Sequence, residues 1–313
     1  MSAEDTRDPA QSRGESPAAP AAPDALSDNT VDTAAATIHD TGYQRYDGER
    51  TAQAGRYRVI VGNVVRQSWR GLWRMKLWAI TTVITLVVFG AIMFVQPGFK
   101  DRLILESLNW FSLSAFFLTL SAVASLVADD MRSGAFVFYF SRPIRPRDYV
   151  LGKLLGAVLI TGVTLFLGPV LLAVLQLGLS SGGDLAGNVP LVFKTALIAV
   201  VGTVVYAALA LACSAVTSRG RLTVALWGGA YLVLANAALG VAESTGIAEV
   251  AALHPLQSLK AVAGALLGAG GGGAPVPPLW LAGVALLVYA LGSVAFVQWR
   301  VHAAADIGLG GSS

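Results

Sequence analysis

The chain has 313 residues, 55% of them hydrophobic and only 13% charged, and a mean hydropathy of +0.63. This balance excludes an ordinary soluble domain, and the continuous apolar runs, unlike the alternation over about 10 positions of a barrel strand, point to a polytopic helical membrane protein. The net charge of +3 hides an asymmetry, with 10 acidic and 4 basic groups in residues 1–55 against 9 and 18 in residues 56–313, so the basic excess reads as membrane topology and not as a nucleic-acid partner.

Residues 1–55 are rich in Ala, Pro, Ser, Thr and Asp. They lack the apolar surface needed to offset ordering entropy, and are predicted to form a disordered cytoplasmic tail. The acidic start, MSAEDTRDPAQSRGESPAAP, has no apolar core of a signal peptide. From Arg56 to Lys76 the pattern changes. Val61, Val65, Trp69 and Leu72 fall on one helical face and Arg66, Arg70 and Arg74 on the other, which predicts an amphipathic interfacial helix over 56–76. Its cations reach anionic headgroups of membrane lipids while Trp69 and Trp73 sit at headgroup depth.

Six transmembrane helices are predicted after it, at about 77–95, 107–128, 149–178, 192–217, 222–242 and 279–299, each long enough for the roughly 20 apolar residues a bilayer requires. Between the second and third lies 129–153, DDMRSGAFVFYFSRPIRPRDYVLGK, where charge, proline and aromatics concentrate. Gly134 ends or bends a helix there, and the prolines of SRPIRPR stop one. The third span carries Gly168-Pro169, which should kink it. The small residues of GTVVYAALALACSA in the fourth allow close approach of a neighbouring span or a second subunit. The segment 243–278 is the longest on the other side. After Pro255 it repeats Leu256, Leu259, Val262, Ala263 and Leu266 at helical spacing, predicting a short amphipathic helix that the Gly270–Gly273 run ends. Residues 303–313 read as a flexible C-terminus.

Of the 18 Lys and Arg after residue 55, 14 fall on the side of the amphipathic helix, the 129–153 loop, Arg219, Arg221 and Arg300, and 4 (Lys100, Arg102, Lys194, Lys260) on the other. The positive-inside rule therefore places both termini and the 129–153 loop in the cytoplasm. Catalytic chemistry is absent from the pattern. There is no HExxH, no GxSxG, no GxxxxGK[ST] and no intramembrane carboxylate pair, and the span interiors offer neutral polar residues such as Asn109, Gln176 and Asn236. Neither a catalytic residue nor a metal or cofactor ligand is expected. Cys213 reads as a packing residue and His254 as a structural or surface histidine.

An acidic residue, a glycine four positions on, an aromatic run, a P-I-x-R-like turn and a G-K opening the next span occur here as Asp130, Gly134, Pro143, Ile144, Arg145, Gly152 and Lys153. In this the chain resembles the permeases of type-2 ATP-binding-cassette (ABC) transporters, with Asp130 where that family usually has Glu and Ala135 where it often has Thr. The resemblance covers about residues 56–302. It implies an exporter-type membrane subunit, in the plasma (inner) membrane of a bacterium, whose loop docks on an ATP-binding subunit. Asp130, Gly134, Phe138, Tyr139, Phe140, Arg142, Pro143, Arg145, Gly152 and Lys153 would belong to that coupling loop. The amphipathic helix, with Arg66, Trp69, Arg70, Trp73 and Arg74, would be the family's elbow helix. His254, Pro255 and Leu259 would belong to short re-entrant helices of an external gate. ATP and Mg would sit on the partner, and a second permease subunit, identical or not, would complete the path. Two other readings stand beside it: a carrier or channel working without ATP, and a membrane scaffold that transports nothing.

Overall fold

The structure, a computed structural model, describes residues 55–70, 72–95, 100–140, 144–180, 185–269 and 275–309. The N-terminal tail expected at 1–55 lies almost wholly outside them. Helix α1 (Arg56–Arg70) leads to α2 (Leu72–Val95), then α3 (Lys100–Ala122), α4 (Leu126–Arg132), the short α5 (Ala135–Phe140), α6 (Pro146–Leu165), α7 (Leu167–Gly178) and the long α8 (Leu185–Val216). A ninth helix, α9 (Gly220–Gly229), continues through a π-helical turn (Ala230–Ala235) into α10 (Asn236–Thr245). A 3₁₀ segment (Ala248–Leu253) and α11 (Pro255–Leu267) follow, then α12 (Leu279–Leu287), a second π-helical turn (Val288–Gly292) and α13 (Ser293–Leu309). The described residues contain no strand.

Among the described residues, six helical segments are long and apolar enough to cross a bilayer: Lys76–Val95, Arg102–Arg132, Pro146–Leu165, Asn188–Val216, Gly220–Thr245 and Leu279–Ala304. The chain is thus an all-α polytopic membrane protein. Spans two, three and four form the centre, with 67%, 56% and 56% of their most apolar windows buried against 22% for spans one, five and six. On those outer spans the large apolar side chains point away from the protein, as Val87, Leu234 and Leu291 do, which is the arrangement a lipid solvent selects.

Two of the expected spans depart from single straight helices. The second begins at Arg102, so it includes Glu106, and it breaks at residues 123–125, where the Thr119 carbonyl accepts from both Val123 N (2.8 Å) and Ala124 N (2.9 Å). The restart at α4 leaves amide donors without helical partners. Ser214 of α8 serves two of them, its hydroxyl accepting from Val127 N at 2.8 Å and Ala128 N at 3.2 Å. The third span, expected as one kinked helix over 149–178, is two helices, α6 and α7, separated at Phe166. The cause is Pro169, whose ring collides with the carbonyl four residues earlier, at Leu165, and which supplies no amide to it. Gly168 lets the second piece approach α3, for a Cβ there would lie 2.5 Å from Phe111 Cδ1. At the end of α8, Arg300 of α13 donates to the terminal carbonyls of Ala215 (Nε, 3.2 Å) and Val216 (Nη2, 3.4 Å), satisfying acceptors that the helix leaves open.

Candidate functional site

The turn between spans two and three is built on a helix stop. α4 ends at Arg132, and Gly134 takes the left-handed φ of +66° that lets the chain reverse into α5. After α5, Arg145 is extended (φ −79°, ψ 147°) and Pro146 occupies the first turn of α6, where a missing amide costs nothing. AFVFYF is therefore a short helix, α5, between the end of α4 and the start of α6. Phe138 is 74% exposed on it, while Phe136 is buried.

Beneath α5 lies a charged cluster. Lys153 is 2% exposed, and its Nζ reaches Asp130 Oδ2 at 2.8 Å and the Leu126 carbonyl at 3.2 Å, 5.6 Å from the centre of the Tyr149 ring. The Tyr149 hydroxyl donates to the same Asp130 oxygen at 2.7 Å. A buried lysine is tolerable only when paired and hydrogen-bonded in this way, here by a half-buried carboxylate. Tyr149 in turn receives both inward aromatics of α5, Phe136 edge-on with centroids 5.4 Å apart and Tyr139 tilted at 5.4 Å. Burial, and secondarily the charge of Asp130, hold the Tyr139 phenol above its ordinary value of 10.0, while a hydrogen bond with Asn63 of α1 acts the other way. Tyr139 thus stays neutral and connects α5, α1 and the root of the third span.

Helix α1 lies along α6 at a pair of glycines one turn apart. A Cβ on Gly152 would come within 2.7 Å of Ile60 Cβ, and one on Gly156 within 2.6 Å of Val64 Cγ1. Ile60 and Val64 are buried among the described side chains of α1, one position round from the apolar face the sequence predicted through Val61 and Val65. The difference arises because the narrow Gly152/Gly156 groove admits a β-branched ridge at i, i+4. On its other side α1 borders a cleft of about 790 Å³ lined by Arg56, Val59, Asn63 and Arg66, with Phe138, Tyr139 and Ile144 opposite. Arg56 and Arg66, 10 residues apart on one helix, stand about 15 Å from each other along its axis.

Of the residues expected to form the coupling loop, Asp130, Tyr139, Gly152 and Lys153 meet in or beside this cluster, and Gly134, Phe138 and Arg145 sit on the turn above it. Arg142 and Pro143 fall outside the described residues, as do the side chains of Phe140, Trp69, Arg70, Trp73 and Arg74. Arg66 lines the cleft.

At the opposite end, the 3₁₀ segment packs against α10 and α12, and α11 against α12, α8 and the start of α3. His254 is buried and caps α11, its Nδ1 accepting from Leu256 N at 3.2 Å, with Pro255 in the first turn. Burial lowers its pKa from 6.5 to about 4, so the ring is neutral and able to accept. Leu259 packs into α8 at Gly202, where a Cβ would lie 2.8 Å from its Cδ2. Sequence reasoning missed Lys260, 7% exposed, whose Nζ lies 3.8 Å from Glu106 Oε2 and 3.4 Å from Asn109 Oδ1. Asn109 also donates to that Glu106 oxygen at 3.0 Å. The only sequence signal was an acidic residue at the edge of an apolar run. Among the described residues, no group of three or more His, Cys, Asp or Glu is placed to hold a metal ion. Neither a family model nor a curated protein matches this chain.

Proposed function

We propose that this chain is the membrane subunit of a type-2 ABC exporter, docked through α5 and the α1 cleft onto a separate ATP-binding subunit in the cytoplasm. The observation that carries the reading is the double attachment of α5. Outwardly it offers Phe138, beside a cleft with an apolar floor and an arginine near each end, which is the aromatic anchor and charged rim of a protein-docking surface. Inwardly, Phe136 and Tyr139 bear on Tyr149, and through it on the Asp130–Lys153 pair at the root of α6. A push on α5 is transmitted to the third span through packed rings and one ion pair, without a flexible link. ATP and Mg belong to the partner, where hydrolysis takes place, and this chain supplies the path, paired with a second permease subunit in a bacterial plasma membrane. Coupling requires only that the partner's nucleotide states hold α5 differently.

Affinity purification of the tagged chain from its native membrane in mild detergent, with mass spectrometry, tests the docking. Recovery of a Walker-motif ATPase that is lost when Phe138, Tyr139 and Phe140 are replaced by Ser, with insertion of all six spans intact, is the expected result. A correctly inserted triple variant that retains the ATPase and transports normally refutes the assignment. The ATP-independent carrier is the second reading, favoured by one observation: Glu106 and Lys260 put an ionisable pair against the second span, which such carriers need. Solute movement by the chain alone in proteoliposomes, driven by an ion gradient, would establish it.

A further inference from the structure

A second cleft, sharing no residue with the one beside α1, opens at the same end of the bundle and has a volume of about 630 Å³. Its depth in the membrane follows from its lining. Trp78 lies near the start of the first span, Asp129 and Arg132 close the second, and Gly220 and Arg221 open the fifth. The cleft therefore sits where three spans leave the hydrocarbon. One wall is Trp78, stacked on Phe117 with ring centroids 4.9 Å apart, together with Leu120 and Val224. A tryptophan at a span end belongs at headgroup depth. The other wall carries Ser125, Asp129, Arg132 and Arg221. Gly220 lets the fifth span approach it, for a Cβ there would lie 3.3 Å from Asp129 Oδ1 and 3.5 Å from Ser125 Cβ.

The charges on that wall do not cancel. Asp129 meets Arg132 at 3.6 Å, with the arginine side chain 71% exposed, and a loose surface pair of this kind holds neither partner firmly. Arg221 is exposed as well and pairs with no carboxylate among the described residues. Two guanidiniums against one carboxylate leave one positive charge over, and Lys76 and Arg219 add to it from neighbouring positions in the chain. A guanidinium presents a planar fork that matches two oxygens of a phosphate. The two walls together define the ligand. A small water-soluble anion would use the arginines and leave the aromatic wall idle. A bare hydrocarbon chain would do the reverse. A phospholipid engages both, its phosphate at Arg132 and Arg221 and the first part of an acyl chain along Trp78, Phe117, Leu120 and Val224.

We propose that this cleft is a binding site for an anionic phospholipid of the adjacent leaflet, its phosphodiester held by Arg132 and Arg221 and an acyl chain laid against Trp78 and Phe117. The bound lipid joins the first, second and fifth spans at one end. The site depends only on the six-span fold, so failure to recover an ATPase would leave it standing. Its test uses the full chain in nanodiscs of phosphatidylcholine with graded fractions of a phosphatidylglycerol that carries a diazirine beside its glycerol backbone. After irradiation, adducts are mapped by mass spectrometry. They are expected on the peptides holding Trp78, Phe117 and Val224, and to saturate as the probe fraction rises. Arg132→Gln and Arg221→Gln should each raise the half-saturating fraction about fivefold, the factor that about 1 kcal/mol produces. Arg132→Lys and Arg221→Lys, which keep the charge, should raise it less. Arg58→Gln removes an equal charge from an exposed position of α1 outside the cleft and should leave it unchanged. Adducts that grow in proportion to the probe, without saturating, would be those of bulk lipid and overturn the site. Glutamine variants without effect overturn it, as does an equal shift from Arg58→Gln. Displacement of the probe by dissolved glycerol phosphate as readily as by unlabelled phosphatidylglycerol would make the ligand a free phosphate ester and overturn the lipid. A cleft that yields no adduct because a second copy of the chain covers it, seen as a cross-linked pair, overturns it too.

Discussion

Replacing Lys153 by Met tests whether the cluster under α5 is a mechanical joint or merely a tolerated polar patch. At 2.8 Å and an effective dielectric of about 20, the Coulomb attraction is about 6 kcal/mol, against a desolvation cost of several kcal/mol for each ion. Formation of the pair therefore comes close to cancelling, whereas removing one member strands the other. Lys153→Met alone should lower stability by about 3–5 kcal/mol, and Asp130→Asn should cost about as much, because the buried Lys153 then has no negative charge opposite it, only neutral contacts such as the Leu126 carbonyl and the Tyr149 ring. Both together should cost only about 1–2 kcal/mol, giving a coupling energy of at least about 4 kcal/mol. Equilibrium unfolding of the four proteins in mixed detergent micelles measures the cycle. Additive single and double variants, with coupling near zero, would refute the joint and reduce Asp130 and Lys153 to independent surface-end charges.

Two further outcomes follow from packing and protonation. Gly168→Ala should destabilise by about 1–3 kcal/mol through its collision with the Phe111 ring, and adding Phe111→Leu should recover part of that in the same unfolding assay. His254, pulled down to about 4 by burial, binds fewer protons folded than unfolded between pH 4 and 6.5. Its contribution is thus fully present above about pH 6.5 and is lost as pH falls toward 4, by about 3 kcal/mol at most. His254→Asn keeps a side-chain acceptor for the helix cap, so its melting temperature should fall less than that of the unaltered protein over this window, with equal slopes above it.

Much of this architecture is written locally. The six spans follow from length and apolarity alone, and the αα turn at 129–153 from the glycine and prolines that interrupt them. Pro169 was legible too, but its effect appears four residues upstream, because the ring acts on the carbonyl of Leu165 and not on its own position. Gly152 and Gly156 could have been read as a small-residue groove. What was illegible is the ridge of Ile60 and Val64 that fills it, since Val61 and Val65 have the same spacing and only the three-dimensional partner selects between them. The candidate site divides in the same way. Asp130 and Lys153 were recognisable as residues of one loop, yet Tyr149, the group that joins them to α5, lay inside what looked like an ordinary span opening. Lys260 and Asn109 are separated by 151 positions, and nothing in the neighbourhood of either announces the other.

The serine that closes the break in the second span also fixes an order of assembly. Val127 N is separated by 87 positions from the Ser214 hydroxyl that serves it. At about 5–20 residues per second, synthesis delivers that hydroxyl about 4–17 s after the amide. During that interval two amides at the top of α4 lack their native acceptor, in a setting where each unsatisfied group costs several kcal/mol. The second span is therefore finished after the fourth. Asp130 stands only three and two residues beyond those amides, so the joint beneath α5 takes its final geometry late, once the centre of the bundle has closed around it. A nascent chain with three spans inserted would not yet present a settled surface around α5.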